Sequence, residues 1–325
     1  MRALRNTWLP LVAALITTPI LADPPTPAKA NLWHTLGTGG GPPLRIKRAE
    51  PVNELEVDGS FYLFDAGEAA LRQIQRAGRS AVKYRAIFIS HHHIDHNAGL
   101  AEVLMYRWQL RASPIDVYGP PGTAVMVSQT LAANRITELS PILADGPPKP
   151  VLANSATGHD LPFDTPAPVE VYKDDKIRVL AVINTHFNFT PGSPEAKAAR
   201  SYSYRIETAG RTYLYTGDTG PSPAVTAMAK GADLLISEVV DPVAMQAIAK
   251  RPGIKDPQAF LDHQLHEHMT PDAIGTMAST AGVKAVVLTH VVPGLDTDSD
   301  PGAYTGGVSA KFNGPVTLAS DIGAY

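Results

Sequence analysis

The densest chemistry in this 325-residue chain is the run His91-His92-His93-Ile94-Asp95-His96, directly behind the apolar stretch Ala86-Ile87-Phe88-Ile89-Ser90. His91, His93, Asp95 and His96 place imidazoles and a carboxylate at the exit of an expected buried strand. Such side chains make poor core material and good ligands for zinc or a similar borderline cation. Adjacent side chains in extended chain point apart, so His92 is out of phase with this set. The pattern points to a metal-dependent enzyme. Cysteine is absent, which excludes a disulfide framework, a thiolate ligand and a cysteine nucleophile.

Alternating strand-like and helix-like pieces must position these groups. Phe61 to Phe64 reads as a strand ending at Asp65-Ala66-Gly67, and Glu68 to Ala77 as a helix closed by Gly78. Ile177 to Ile183 reads as a buried strand leading to His186, and Tyr213 to Tyr215 as one running into Thr216-Gly217-Asp218. Ser222 and Pro223 open a helix, and Leu234 to Ser237 is a strand carrying Glu238 at its end. Thr270 and Pro271 open another helix, closed by Gly282, before the strand Ala285 to Leu288 delivers Thr289 and His290. Each of these polar groups follows an apolar strand, where loops converge in α/β sheets. The Pro-rich stretches 146–168 and 191–194 and the Gly/Asp-rich 293–307 read as loops on that rim, with Phe187, Phe189 and Tyr304 available as an apolar wall.

Composition frames the rest. A length of 325 residues with 44% hydrophobic content suffices for one large domain. A net charge of −3 and the lack of a polybasic run give no bulk field towards nucleic acid. Arg2 and Arg5 precede an apolar segment from Trp8 to Leu21, which ends in Ala22 before Asp23-Pro24-Pro25. This layout predicts a signal peptide over 1–22, a domain over 23–325, a periplasmic or secreted location and no stable membrane insertion.

Taken together, these motifs resemble those of the metallo-β-lactamase fold hydrolases, whose His-x-His-x-Asp-His signature the histidine run fits. That family's ordered set continues with Asp65 in Phe-Asp-Ala-Gly, His186 in Asn-Thr-His-Phe, Asp218 in Thr-Gly-Asp-Thr-Gly and His290 in Leu-Thr-His. The resemblance implies an α/β fold, the four-layer αβ/βα sandwich. The chain looks most like the branch holding the tRNA 3′-processing endonucleases, called ribonuclease Z-like, and the secreted arylsulfatases and phosphodiesterases. Three strings carry this likeness: the glycine loop Leu36 to Gly41, the strand Leu234 to Glu238, and His268-Met269-Thr270.

That likeness implies two metal sites, one of His91, His93 and His186 and one of Asp95, His96 and His290, bridged by Asp218. Two Zn²⁺ ions are expected, with Mn²⁺ or Fe²⁺ acceptable to the same ligands. A hydroxide shared by the ions would be the nucleophile. His268 would be the general acid, oriented by Glu238, with Asp95 counted both as a ligand and in the catalytic set. Asp65 reads as a support for a ligand histidine.

Substrate is the finer expectation. In the tRNA-processing enzymes a long RNA-gripping arm lies between the third-motif histidine and the bridging aspartate, whereas only the 31 residues 187–217 separate His186 from Asp218 here. With the export segment and slightly acidic balance, this favours a small-molecule aryl sulfate or phosphodiester and excludes a nucleic-acid partner. Lactone hydrolysis is the nearest rival, since those relatives keep the bridging aspartate. A β-lactamase is disfavoured by Asp218 and the missing cysteine, and a non-catalytic metal-binding protein by the full ligand set.

Overall fold

Residues along the central strands switch direction with period two, and this decides the architecture. On the strand Ser60–Ala66, Phe61 and Leu63 enter one apolar layer while Tyr62 and Phe64 enter another. On Thr212–Tyr215, Tyr213 and Tyr215 join the layer of Tyr62 and Phe64, and Leu214 points the opposite way. Strands with two apolar faces need cover on both sides.

The computed structural model describes residues 31–140, 149–162, 164, 167–298 and 300–325. One sheet contains β1 (Asn31–Gly37), β2 (Val52–Val57), β3 (Ser60–Ala66), β4 (Tyr84–Phe88), β5 (Ile115–Gly119), β6 (Ala156–Asp160) and β14 (Gly323–Ala324), in the order β14-β1-β2-β3-β4-β5-β6. The other contains β7 (Val169–Lys173), β8 (Ile177–Ile183), β9 (Tyr202–Thr208), β10 (Thr212–Tyr215), β11 (Leu234–Val240), β12 (Val286–Val292) and β13 (Val316–Leu318), in the order β13-β12-β11-β10-β9-β8-β7. The helices are α1 (Ala70–Arg76), α2 (Ile94–Asn97), α3 (Leu100–Gln109), α4 (Thr123–Ala133), α5 (Arg135–Glu138), α6 (Pro194–Ala198), α7 (Pro223–Met228), α8 (Pro242–Ala249), α9 (Pro257–His266), α10 (Pro271–Ala281) and α11 (Gly302–Ser309).

Between the sheets lies an aromatic layer including Trp33, Tyr62, Phe64, Phe88, Tyr204, Tyr213 and Tyr215. Phe64 stacks on Phe88 at 4.9 Å between ring centroids. Buried tyrosines keep their hydroxyls satisfied: Tyr204 donates to the Ile89 carbonyl at 2.7 Å and Tyr215 to Asp65 at 2.6 Å. On the outer face of the first sheet, Ile74 of α1, Trp108 of α3 and Val127 of α4 pack with Leu63 and Ile87. On the outer face of the second, Val225 of α7, Ile274 of α10 and Val308 of α11 pack with Leu214 and Leu235. Helix, sheet, sheet, helix is the four-layer αβ/βα sandwich expected from the motifs.

Local signals set the ends of the helices. The Thr270 hydroxyl accepts from Ala273 N–H at 3.3 Å, Pro271 fills the first position of α10, and Gly282 leaves it at φ 62°. Ser222 caps α7 in the same way.

Three readings need correction. The stretch 146–168 is not all loop, because Ala156–Asp160 forms β6. It lacks apolar alternation and is held by its pairing with β5 at the sheet edge. The stretch 293–307 likewise contains the start of α11, in which Tyr304 is buried rather than lining the rim. Finally, β11 and β12 do not stop before their functional residues but continue to Val240 and Val292. The segment 1–22 read as a signal peptide lies outside the described residues, among which no helix is long and apolar enough to cross a membrane.

Candidate active site

The strands that carry the polar groups point the same way. β3 and β4 are parallel, β10, β11 and β12 are parallel, and β8 lies antiparallel to β9, itself antiparallel to β10. Asp65, His91 to His96, His186, Asp218, Glu238 and His290 therefore all lie in or just beyond the carboxyl-terminal halves of their strands, towards one rim shared by both sheets.

Two of these residues sit at irregularities. The β2–β3 register shifts near Asp65, whose φ is 59°, and the β11–β12 register shifts near His290, whose φ is 42°. A left-handed backbone is costly away from glycine and is held only by surrounding structure. Each bulge turns a side chain that regular pleating would place elsewhere.

The side chains of the two expected metal sets do converge. One group contains His91, His93, His186 and Asp218, a second contains Asp95, His96 and His290, and a third contains Asp218, Glu238 and His268. Asp218 reaches both histidine sets: Oδ1 lies 3.3 Å from His96 Nε2, and Oδ2 lies 3.2 Å from His290 Nε2, 3.8 Å from His91 Nε2 and 4.0 Å from His186 Nε2. Gly217 gives this loop its φ of 55°, and a Cβ there would fall 2.7 Å from Ser90 Cβ.

Hydrogen bonds outside the cluster fix the imidazoles. His96 Nδ1 donates to Asp65 Oδ2 at 2.8 Å, and His186 Nδ1 donates to the Glu267 carbonyl at 3.0 Å. His91 Nδ1 lies 3.1 Å from Ser90 Oγ, which donates to Asp65 Oδ2 at 2.8 Å. Because those acceptors are oxygens, the tautomer leaves Nε2 bare and facing inward.

Three such atoms, His91 Nε2, His96 Nε2 and Asp218 Oδ1, are buried without a hydrogen-bond partner. His186 Nε2 faces His93 Nδ1 at 3.1 Å, nitrogen to nitrogen. Bare donor atoms aimed at one another are costly unless a cation unites them, so these residues suit divalent metal ions.

Electrostatics agree. Burial holds His91, His93 and His186 below the ordinary histidine range, His186 at about 3, which keeps them neutral as ligands must be. Burial also opposes charge on His96 and His290, but Asp218, with help from Asp95, overrides it and raises both. The same negative field that draws protons to these imidazoles would draw a cation.

His268 stands beside the cluster, its ring 5.0 Å from that of His186 and 6.1 Å from that of His290. Its Nδ1 donates to Glu238 Oε2 at 2.5 Å, while Glu238 Oε1 accepts from Thr219 N–H at 2.5 Å. Burial alone would lower His268, but the Glu238 charge and hydrogen bond push it up to about 9. Burial raises Glu238 as well, yet between the two the proton rests on the imidazole. His268 lines a cleft of about 190 Å³ together with His93, Asp95, Asp218, Gly41 and His263. Gly41 N–H donates to Asp95 Oδ2 at 3.0 Å, and a Cβ on Gly41 would lie 2.5 Å from Asp95 Cβ, so the early glycine loop closes directly over the site.

His92, His34 and His159 stay apart. His92 turns to Thr123 Oγ1 at 3.2 Å, His34 pairs with Glu56 and His159 with Asp116. Sequence reasoning missed Ser90 and Tyr215, which support Asp65, and the Glu267 carbonyl that orients His186. A serine in front of a histidine run and a tyrosine inside a strand carry no local signal of such roles.

Comparison with known proteins decides the family. The model of the beta-lactamase superfamily domain matches residues 60–291. Ribonuclease Z of Shouchella clausii is 32% identical over 282 residues, spanning 79% of this chain and 86% of that protein. The chain belongs to the beta-lactamase superfamily, on its ribonuclease Z-like branch. Ribonuclease Z of Mycobacterium bovis is 25% identical over 88% of this chain and 95% of that protein. The superfamily fold recurs in human tRNase Z, short form, with a TM-score of 0.64 and 21% identity over 90% of this chain and 98% of that one. It recurs also in the metallo-beta-lactamase fold protein YhfI of Bacillus subtilis, with a TM-score of 0.62 and 19% identity over 91% of this chain and 99% of that one.

These relatives overturn two expectations about this superfamily member. A hydrolase of small-molecule aryl sulfates or phosphodiesters does not stand against curated relatives named ribonuclease Z that match over most of their length. Nor does the exclusion of a nucleic-acid partner. The interval 187–217 is as short as expected, holding only α6, β9 and β10, but a missing arm and a net charge of −3 were too weak a basis for refusing RNA. Local contacts near the cleft decide a substrate, and whole-chain charge averages them away.

Proposed function

We propose that the protein is a metal-dependent ribonuclease of the ribonuclease Z type, hydrolysing a phosphodiester bond of RNA. Its relatives support the substrate class, and the observation that carries the chemistry is the pair His268–Glu238 set at the edge of the ligand cluster.

On this reading His91, His93 and His186 would hold one cation and Asp95, His96 and His290 a second, with Asp218 shared between the two sets and zinc as the metal. When bound, such a pair supplies positive charge facing the phosphoryl oxygens and acidifies water for attack near neutral pH. The remaining work falls to the chain. With Nδ1 committed to Glu238, His268 has Nε2 left to meet substrate in the cleft. A ribose oxygen leaves poorly as an alkoxide, and a proton from His268 Nε2 neutralises it as the phosphorus–oxygen bond breaks. Glu238 holds the imidazole in the tautomer and charge state this transfer needs. The glycine loop at Gly40 and Gly41 keeps the cleft narrow, limiting solvent around the reacting group.

The decisive experiment incubates zinc-loaded protein with a tRNA precursor carrying a 3′ extension. Cleavage at one position that is lost on chelation and restored by zinc is the expected result. Intact RNA in the presence of a fully loaded protein would overturn the proposal.

A further inference from the structure

The segment after His186 carries two phenylalanines that metal binding does not require. Phe187 lies edge-on to the cluster, its ring 5.2 Å from that of His93 and 5.8 Å from that of His91. Phe189 stacks on Phe187 at 4.9 Å with 19° between the planes. Phe187 is half-buried and walls the imidazoles, but Phe189 keeps 36% of its surface exposed. An apolar ring held parallel to another at the rim, where Thr190 O accepts from Ser193 N–H to turn the chain back, gains little as core.

We infer that Phe187 and Phe189 form a stacking platform for the nucleobase next to the cleaved phosphate, so that Phe189 is a substrate-binding residue for a single-stranded end. The inference rests on the ribonuclease reading above. A base is joined to its phosphate through a single ribose, so a phosphate at the cluster brings the neighbouring base to the height of these rings. Every base has a π-face, which makes such a platform tolerant of sequence and suited to a single-stranded end rather than a paired stem. It also supplies contact without basic residues, in keeping with a chain that has no polybasic run.

The test uses the zinc-loaded full chain and two tRNA precursors with a 3′ extension, one intact and one with abasic riboses flanking the cleaved phosphate. For the native protein, KM should be about tenfold to a hundredfold higher on the abasic RNA. Phe189→Ala should raise KM on intact RNA by a similar factor, leave kcat nearly unchanged, and show no further penalty on abasic RNA. Phe189→Trp should keep the native KM. Removal of base and ring giving independent, multiplying penalties, or native cleavage indifferent to the abasic sites, would overturn the platform while leaving the ribonuclease intact. If the native protein cuts neither RNA, the ribonuclease reading falls and takes the platform with it.

Discussion

Glu238 binds His268 with one carboxylate oxygen and the backbone N–H of Thr219 with the other, both at 2.5 Å. A single buried carboxylate therefore ties the proposed acid to the loop that carries Asp218. Position and charge of the two are set together.

The first prediction concerns that acid. His268→Ala should lower kcat on RNA by about two to four powers of ten, yet lower turnover of bis(p-nitrophenyl) phosphate far less, because nitrophenolate leaves without a proton. Glu238→Gln should fall between native and His268→Ala on RNA. Steady-state kinetics on both substrates checks this, and equal losses on both would remove the acid role.

Asp218 stands between the two histidine sets. Asp218→Ala should cut the bound metal below two ions per chain and abolish measurable RNA cleavage. Elemental analysis of dialysed protein reads the first effect without reference to activity. Two retained ions would refute the bridging assignment.

Asp65 touches no expected ligand atom directed at a cation, but accepts from Ser90 N–H, Ser90 Oγ, Tyr215 OH and His96 Nδ1 at 2.7, 2.8, 2.6 and 2.8 Å. Asp65→Ala strands these buried donors, at a cost of about 3 kcal/mol or more to stability. Losing the partner of His96 should also weaken metal binding by about tenfold to a hundredfold. Denaturant melts of the metal-free protein and zinc titration separate the two effects.

Acid sensitivity should trace in part to Asp174, far from the metal cluster. Burial opposes its charge, but N–H groups of Ile177 and Lys176 and the hydroxyls of Tyr62 and Tyr172 outweigh that and hold it below the usual carboxylate range. A group depressed in the folded state binds more protons when unfolded, so its stabilisation is complete above the unfolded value and is lost as pH falls through the folded one. Asp174→Asn should flatten the acid limb of a plot of Tm against pH. An unchanged limb would remove this assignment.

Much of the scaffold was legible because its signals are local. Thr270-Pro271 and Gly282 mark α10, and the apolar run Ile177 to Ile183 marks β8. The candidate ligands were legible as residue types near strand ends. Their geometry was not, since Asp65 and His290 are aimed by bulges that depend on a neighbouring strand's register. β6 was missed for a related reason: Ala156 to Asp160 extends because β5 offers a partner, not because its residues demand it. Substrate was the least legible, because recognition depends on local contacts at the rim, which net charge averages away.

The cluster also has a mechanical meaning. His91, His93, Asp95 and His96 hang from the first sheet, and His186, Asp218 and His290 from the second, so a shared pair of cations would staple the two halves of the molecule across their open edge. The thickness of the aromatic filling, from Phe64 and Phe88 to Tyr204 and Tyr215, would then set how far apart lie the ligands that each ion draws from the two sheets. Thinning that filling would misfit the metal before it unfolded the chain, and occupancy of the staple would in turn report on how well the sheets are seated.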